Sequence, residues 1–341
     1  MSTRERPSRP MRGMRRKTID ASHLVETSFL PGHENGLPLV LVPAVENVDL
    51  AEWALSHRDE LEGYINRYGG LLFRGFGVDS AEEFERVASA IVPDLFAEYG
   101  DLPPEPTSQR IYGSTPYPAD KMILFHNESS HLSQWPLRQF FACVQASETG
   151  GETPLLDCRE VLKALDLPLR EQFEEKGLMY VRNFSEGVDV PWEDFFHTND
   201  RAEVERQCAE AGMTAEWTAE GLCVRNLAPA VATHPRTGER LFFNQIQLHH
   251  TRCLDPETRS ALQQLFSEEE MPRGVRFGDG SAIPDEVVDR LGELYEELCV
   301  ETPWETGDLI VLDNMLVAHA RRPFEGSRKI LVAMGDMTST A

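Results

Sequence analysis

The chain has 341 residues, 41% of them hydrophobic, and a formal net charge of −24. That size and apolar content support one large domain with a real core, and so strong a negative charge argues against a nucleic-acid partner, because it repels a phosphate backbone. No apolar run reaches the length of a membrane span, and six cysteines without any Cys-x-x-Cys pair read as reduced thiols in a cytoplasmic protein.

In chain order, residues 1–17 are basic and lack the apolar stretch of a secretion signal, so they are expected to form a disordered tail ahead of a single domain over 18–341. Apolar spacing of three and four predicts helices over Leu50–Tyr68, Ala81–Ile91, Arg159–Lys176, Arg201–Gly212 and Asp285–Leu298. Short apolar runs punctuated by glycine and proline predict strands at Leu71–Phe73, Met122–Phe125, Phe140–Ala146, Leu241–Asn244, Leu309–Leu312 and Ile330–Met334. The fold class expected is α+β. Strands near opposite ends of the chain suit a double-stranded β-helix (jelly roll) core buttressed by helices, with residues 159–300 as a long insertion.

The chemistry sits where the apolar runs end. His126-Asn127-Glu128 closes the run Met122–Phe125, and His319 follows the run Leu309–Leu312. On an extended strand, residues i and i+2 project to one face, so an imidazole and a carboxylate so spaced can grip one ion while a distant strand supplies a third ligand. Two histidines and a carboxylate on one face leave the opposite coordination positions open, as in non-heme Fe(II) oxygenases. The spacing alone is common: 10 histidines and 57 acids in 341 residues give about 1.7 His-x-Asp/Glu matches by chance. The other match, His57-Arg58-Asp59, lies in a helical periodicity on which i and i+2 diverge, so it reads as a solvated helix face. For His126 and Glu128, spacing alone leaves open a metal pair or hydrogen-bonded strand residues. The doublet His249-His250 is not read as a metal site, because neighbours on a strand face opposite ways.

The surrounding stretches carry more information. Arg67-Tyr-Gly-Gly-Leu-Leu-Phe-Arg-Gly-Phe76, Gly150-Gly-Glu-Thr153, Gly307-Asp-Leu-Ile-Val-Leu-Asp-Asn314 and the segment from His319 through Arg328 to Met334 together resemble the taurine dioxygenase family of Fe(II)/2-oxoglutarate oxygenases, in the clavaminate-synthase-like group. Ser114-Thr-Pro-Tyr-Pro118, His126-Asn-Glu-Ser-Ser, His234-Pro-Arg-Thr-Gly238, Phe243-Asn-Gln245 and Gly278-Asp-Gly280 resemble the branch typified by the syringomycin-biosynthesis hydroxylase. The resemblance implies that His126, Glu128 and His319 hold Fe(II). It also implies that Arg328, with the hydroxyl of Thr153, receives the distal carboxylate of 2-oxoglutarate, and that O2 is the second cosubstrate. A guanidinium suits that role, since its rigid donor fork matches a carboxylate and keeps its charge.

The implied reaction is hydroxylation of an unactivated C–H bond coupled to decarboxylation of 2-oxoglutarate. The nearest branch suggests an amino acid or amino-acid-derived substrate in natural-product biosynthesis, free or tethered to a peptidyl carrier protein. Retention of Glu128, which halogenating relatives replace with a small residue, favours hydroxylation; desaturation, epoxidation or cyclisation would use the same iron site. Arg110, Asn244 and Gln245 are candidate substrate contacts, with the 159–300 insertion as lid and pocket. A metal-binding jelly-roll sensor without catalysis and a zinc hydrolase using bound water are the competing readings, and a sensor has no reason to keep a carboxylate fork beside the metal.

Overall fold

The computed structural model describes residues 24–339 apart from 34–35, 98–102, 104, 107, 186–189 and 220; the expected tail over 1–17 lies outside that range. Seven strands form the largest sheet, in the order Val25–Phe29, Leu39–Pro43, Gly70–Phe73, Leu309–Asp313, Gln134–Gln145, Lys329–Ser339, Tyr112–Gly113. Every pairing in it is antiparallel except Leu39–Pro43 with Gly70–Phe73. Its central strands are covered on both faces, which is why they read in the sequence as unbroken apolar runs. Phe140, Ala142, Leu309, Val311, Leu331 and Ala333 point to one side and pack with the helices of residues 50–91. Phe141, Ile310, Leu312, Ile330 and Val332 point to the other side. There they meet Phe125, Leu155, Leu156, Ala318 and Ala320 from a second, three-stranded sheet, ordered Ile123–His126, Val317–Arg321, Leu155–Asp157. Full burial of each large apolar side chain contributes about 1.5–3 kcal/mol.

The helix over 50–68 is broken in two. Leu50–Ser56 starts on an Asp49 cap that accepts from the Glu52 amide at 3.0 Å. It ends where His57 stacks on Trp53, ring centroids 4.5 Å apart, and its Nδ1–H donates to the Trp53 carbonyl at 2.7 Å, so a side chain takes the place of the backbone donor. Arg58–Tyr68 then terminates on Gly69 at φ 81°, a conformation suited to glycine, and a Cβ there would lie 2.6 Å from Val317. The helix over 159–176 is likewise two, Cys158–Ala164 and Leu167–Lys176, because Asp166 caps the Leu169 amide and Pro168 starts a new first turn. Ala81–Ile91 and Asp285–Leu298 form over the expected ranges, and Arg201–Glu210 is two residues shorter than expected.

The stretch 159–300 is more than a set of loops. It builds a four-stranded antiparallel sheet in the order Thr214–Trp217, Gly221–Ala228, Leu178–Ser185, Arg273–Phe277. Leu178, Tyr180, Val275 and Phe277 join the main core, while Phe184, Leu222 and Val224 form a separate cluster with Phe196, Val204 and Cys208. These strands went unpredicted because polar residues interrupt them, Arg182 and Asn183 in one and Arg225 and Asn226 in another, leaving no apolar run. All six cysteines are free. Among the described residues no helix is long and apolar enough to cross a membrane.

Candidate active site

His126 and His319 face each other directly across the antiparallel pair Ile123–His126 and Val317–Arg321, with ring centroids 4.3 Å apart. Glu128 is two residues further on, but in the turn after the strand rather than on it. The side chain of Asn314 fixes that turn. Its Oδ1 accepts from the Glu128 amide at 2.7 Å, and its Nδ2 donates to the carbonyls of Glu128 at 2.8 Å and Pro136 at 2.9 Å. Glu128 Oε2 thereby comes within 3.9 Å of His126 Nε2, and the ligand atoms of His126, Glu128 and His319 all lie within 4.8 Å of one another. Among the described residues this is the only group of three such side chains able to hold a metal.

The protonation pattern suits a metal. His126 Nδ1 lies 2.8 Å from the Leu124 carbonyl, which can only accept, so Nδ1 carries the proton and Nε2 presents its lone pair. His319 packs on Phe141, is buried, and has no hydrogen-bond partner at Nδ1. Burial, with His126 beside it, holds its pKa well below the usual histidine value, so it is a neutral imidazole at pH 7. Gln139 Nε2 donates to Glu128 Oε2 at 3.4 Å. Two imidazoles and one carboxylate form the donor set that Fe(II) takes in facial triads.

Behind Asn314 a buried network holds the turn in place. Asp313 is fully buried, caps the amides of Met315 and Leu316 at 3.0 Å, and accepts from Arg138 and from His234 Nε2, the latter at 2.9 Å. His234 Nδ1 accepts from the Arg236 and Thr237 amides, so Nε2 bears the hydrogen. Burial disfavours the Asp313 charge, but the His234 bond and the Arg138 guanidinium outweigh it and lower the pKa. The His234-Pro-Arg-Thr-Gly238 segment is therefore scaffold for the ligand turn.

Two cavities meet at the triad. The smaller, about 60 Å3, contains Thr153, Arg321 and Arg328 beside His126, Glu128 and His319. Arg328 Nε donates to the Gly151 carbonyl at 3.0 Å, and its guanidinium lies over Phe324. Burial pushes its pKa down to about 10, with Arg321 adding to the effect, so it stays charged at neutral pH. A Cβ on Gly151, whose φ is 76°, would come within 3.0 Å of the Arg328 side chain, so glycine here leaves room for it. The Thr153 hydroxyl accepts from Trp304 Nε1 at 3.2 Å, which leaves its own proton to be donated to a ligand. Arg321 was not singled out from the sequence. It is buried, binds the carbonyls of Tyr117, Pro118 and Lys121, and keeps one buried Nε without a partner. The signal for it was available: Arg321 is two residues beyond His319 on one strand, hence on the same face. Two guanidiniums in one cavity suit a dicarboxylate.

The larger cavity, about 370 Å3, runs from His126 and Glu128 under the inserted sheet to Tyr180, Arg182, Phe184, Asn226 and Arg273. Gln245 lines it as expected, its Nε2 held by the Asn127 carbonyl at 3.0 Å and its amide by Tyr180 Oη at 2.9 Å. Two other candidates need correction. Asn244 does not face this cavity; its backbone exchanges bonds with Asn127 and its Oδ1 accepts from the Ile246 amide, so it is framework. Arg110 lines neither cavity, because it pairs with Glu85 on the helix Ala81–Ile91. The His249-His250 pair lies at a helix end, not on a strand. His249 faces the cavity against Tyr180 and His131, whereas His250 Nε2 turns away to the Ile283 carbonyl. Burial lowers the pKa of both His249 and His131, the latter to about 4.

Comparison with known proteins bears on this geometry. The family model described as taurine catabolism dioxygenase TauD, TfdA family, matches residues 35–334. The dapdiamide synthesis protein DdaC of Enterobacter agglomerans is 33% identical over 304 residues, covering 89% of this chain and 92% of that protein. A clavaminate synthase-like protein of Arabidopsis thaliana is 29% identical, covering 86% and 89%. Among solved structures, PvcB of Pseudomonas aeruginosa shares the fold, with a TM-score of 0.55 at 17% identity over 95% of each chain.

Proposed function

The chain belongs to the TauD, TfdA family and is an Fe(II)/2-oxoglutarate-dependent oxygenase, and from that premise we propose that it hydroxylates an unactivated C–H bond of an amino acid or amino-acid-derived intermediate in natural-product biosynthesis. The observation that carries this reading is the convergence of His126, Glu128 and His319 within 4.8 Å, open on one side to a cavity bearing Arg328 and on another to the larger cavity. His126, Glu128 and His319 would hold the iron. Arg328 and Thr153 would receive the distal carboxylate of 2-oxoglutarate, and Arg321 would supply a second positive charge. Bound there, Fe(II) and 2-oxoglutarate would supply the O2-activating chemistry, one oxygen atom going to the substrate and the other to the succinate formed from 2-oxoglutarate with loss of CO2.

The protein's own residues do the rest. The Leu124 carbonyl orients the His126 ring through Nδ1, Asn314 clamps the backbone of Glu128, and the ring of Phe141 packs against His319. The two facing sheets fit the halves of a jelly roll, and the inserted sheet fits the substrate wall. Similarity to a dapdiamide synthesis protein supports a biosynthetic role; the sequence stretches that resemble the syringomycin-type hydroxylase branch are the ground for proposing a substrate that is free or carried by a peptidyl carrier protein. Six free thiols are at home in the cytoplasm. Mass spectrometry of aerobic reactions with free and carrier-loaded amino acids tests the reading: a product 16 mass units heavier, formed with succinate, supports hydroxylation, while a product 2 units lighter assigns desaturation instead (about these mass differences, from the loss or gain of H and O).

A further inference from the structure

Two ring nitrogens without a partner meet in one wall of the larger cavity. His249 ends the short helix Ile246–His249, and its Nδ1 lies 3.1 Å from the Gln245 carbonyl. A carbonyl can only accept, so Nδ1 carries the hydrogen and Nε2 is left with a bare lone pair. Among the described residues nothing donates to that nitrogen. The neighbouring ring of His131, its centroid 5.1 Å away, interacts with the Gln245 side chain, but its buried Nδ1 has no partner among the described residues. Tyr180 meets both rings edge-on, 5.9 Å from His131 and 4.9 Å from His249, and its hydroxyl accepts from the Gln245 amide at 2.9 Å. Tyr180, Gln245 and His249 thus brace one another, and the backbone rather than solvent fixes the tautomer of His249. Burial keeps both histidines uncharged. Neither belongs to the metal-binding group of three, yet both line the cavity that opens on His126 and Glu128.

We infer that His249 Nε2 is a specificity contact of the substrate cavity, accepting a hydrogen bond from an uncharged N–H, and that the substrate is an N-acylated amino acid or related amide rather than a free amino acid bearing an ammonium group. This rests on the reading of the cavity as the oxygenase substrate pocket. An acceptor with no donor in the chain is left to find one in what the cavity holds. An acceptor of fixed tautomer also rejects, because an ester or carbonyl oxygen placed there sets lone pair against lone pair. Charge separates the two kinds of N–H. The wall keeps its own imidazoles unprotonated because a charge there loses its hydration; an ammonium would bear the same cost, and an amide would not. A volume of about 370 Å3 has room for an acylated amino acid. The amino group of such a substrate is acylated before it arrives, so an amide-forming reaction must precede this one.

The test is calorimetric binding to the full chain, held anaerobic with Fe(II) and 2-oxoglutarate and repeated on the metal-free chain so that the outcome does not depend on iron. For a panel of primary-amine amino acids, the probes are the free amino acid, its N-acetyl derivative, and the O-acetyl hydroxy acid in which an oxygen replaces that N–H. At least one N-acetyl probe should bind about tenfold or more tightly than its ester analogue, and more tightly than the free amino acid. His249→Asn keeps an amide hydrogen for the Gln245 carbonyl but has nothing at the Nε2 position, so it should remove most of that preference. His249→Gln brings an amide oxygen near that position and should retain part of it. The inference is overturned if no N-acetyl probe outbinds its ester analogue, if the free amino acid binds tightest, or if the preference survives in His249→Asn with both members of a pair weakened alike, as a purely structural role would give. Anaerobic binding of 2-oxoglutarate to the Fe(II)-loaded wild type, measured separately, reports on the oxygenase reading, which can hold while this inference fails.

Discussion

The two cavities that meet at His126 and Glu128 are walled by different kinds of chain. The small one is cut into the facing sheets, where strands covered on both sides fix its side chains and Gly151, Asn314 and Asp313 each hold a neighbour in place. The large one is closed by the inserted sheet, whose inner face mixes Arg182, Asn226 and Arg273 with Tyr180, Phe184 and Val224. The first arrangement leaves little freedom to vary, because its backbone turns and side chains are tied to one another by Asn314, Asp313 and the Gly151 carbonyl. The second places polar groups on an apolar wall, where exchange of one residue changes what fits without disturbing iron. On the proposed reading, the small cavity sets the reaction and the large one its substrate.

Substitutions on the two sides should therefore fail differently. The largest effect is expected from Glu128→Ala, which removes an iron ligand: hydroxylation should fall to background and iron affinity by at least about tenfold, measured by product formation and anaerobic Fe(II) titration. Arg328→Ala should weaken 2-oxoglutarate by about 10- to 100-fold while leaving iron affinity alone, since a hydrogen bond to a charged group contributes about 1.5–3 kcal/mol. Unchanged cosubstrate affinity in that variant would contradict the assignment. Asn314→Ala leaves the Glu128 amide and carbonyl without their partner; about 2–4 kcal/mol of stability should be lost, seen in denaturant unfolding, together with weaker iron binding. A variant that loses stability but binds iron normally would show that the turn keeps its shape without the clamp. Trp304→Phe removes the donor that orients the Thr153 hydroxyl, and a rise of only a few-fold in the KM for 2-oxoglutarate is expected.

The last effect concerns pH. Burial lowers the His131 pKa from 6.5 to about 4. Between those values the unfolded chain binds the proton and the folded chain does not, so this residue's contribution is present above about pH 6.5 and is lost as pH falls toward 4. The slope is at most about 1.4 kcal/mol per pH unit. Unfolding free energies of the metal-free protein at pH 7 and pH 5 should show the fall, and His131→Asn should reduce it.

How legible each region was follows the same division. Runs buried on both faces are visible without an alignment, so the strands Ile123–His126 and Leu309–Asp313 were placed within a residue; the strand Val317–Arg321, which carries His319 and Arg321 in the other sheet, was not predicted, because its alanines, histidine and arginine form no long apolar run. Glu128 nonetheless turned out to sit in a turn held by Asn314, because a side chain hydrogen bond across 186 residues leaves no local trace. The inserted sheet was missed because Arg182, Asn183, Arg225 and Asn226 break the pattern that marks a strand; of these, Arg182 and Asn226 line the larger cavity. Arg110 was suggested by its place before a small polar segment, but its partner Glu85 lies on a helix that spacing does not connect to it. The doublet His249-His250 was set aside as a metal pair on the assumption of a strand; the two lie at the end of the short helix Ile246–His249 and still point apart, His249 to the cavity and His250 to the Ile283 carbonyl.

The most direct measurement is an anaerobic titration of the Fe(II)-loaded protein with 2-oxoglutarate, followed by visible absorption, in the wild type, Glu128→Ala and Arg328→Ala. The proposed site predicts a weak metal-to-ligand charge-transfer band that saturates at one 2-oxoglutarate per chain, is absent or displaced in Glu128→Ala, and requires much more 2-oxoglutarate in Arg328→Ala. No band in the wild type, or the same band at the same concentrations in both variants, would contradict the assignment of these residues to a shared iron and cosubstrate site.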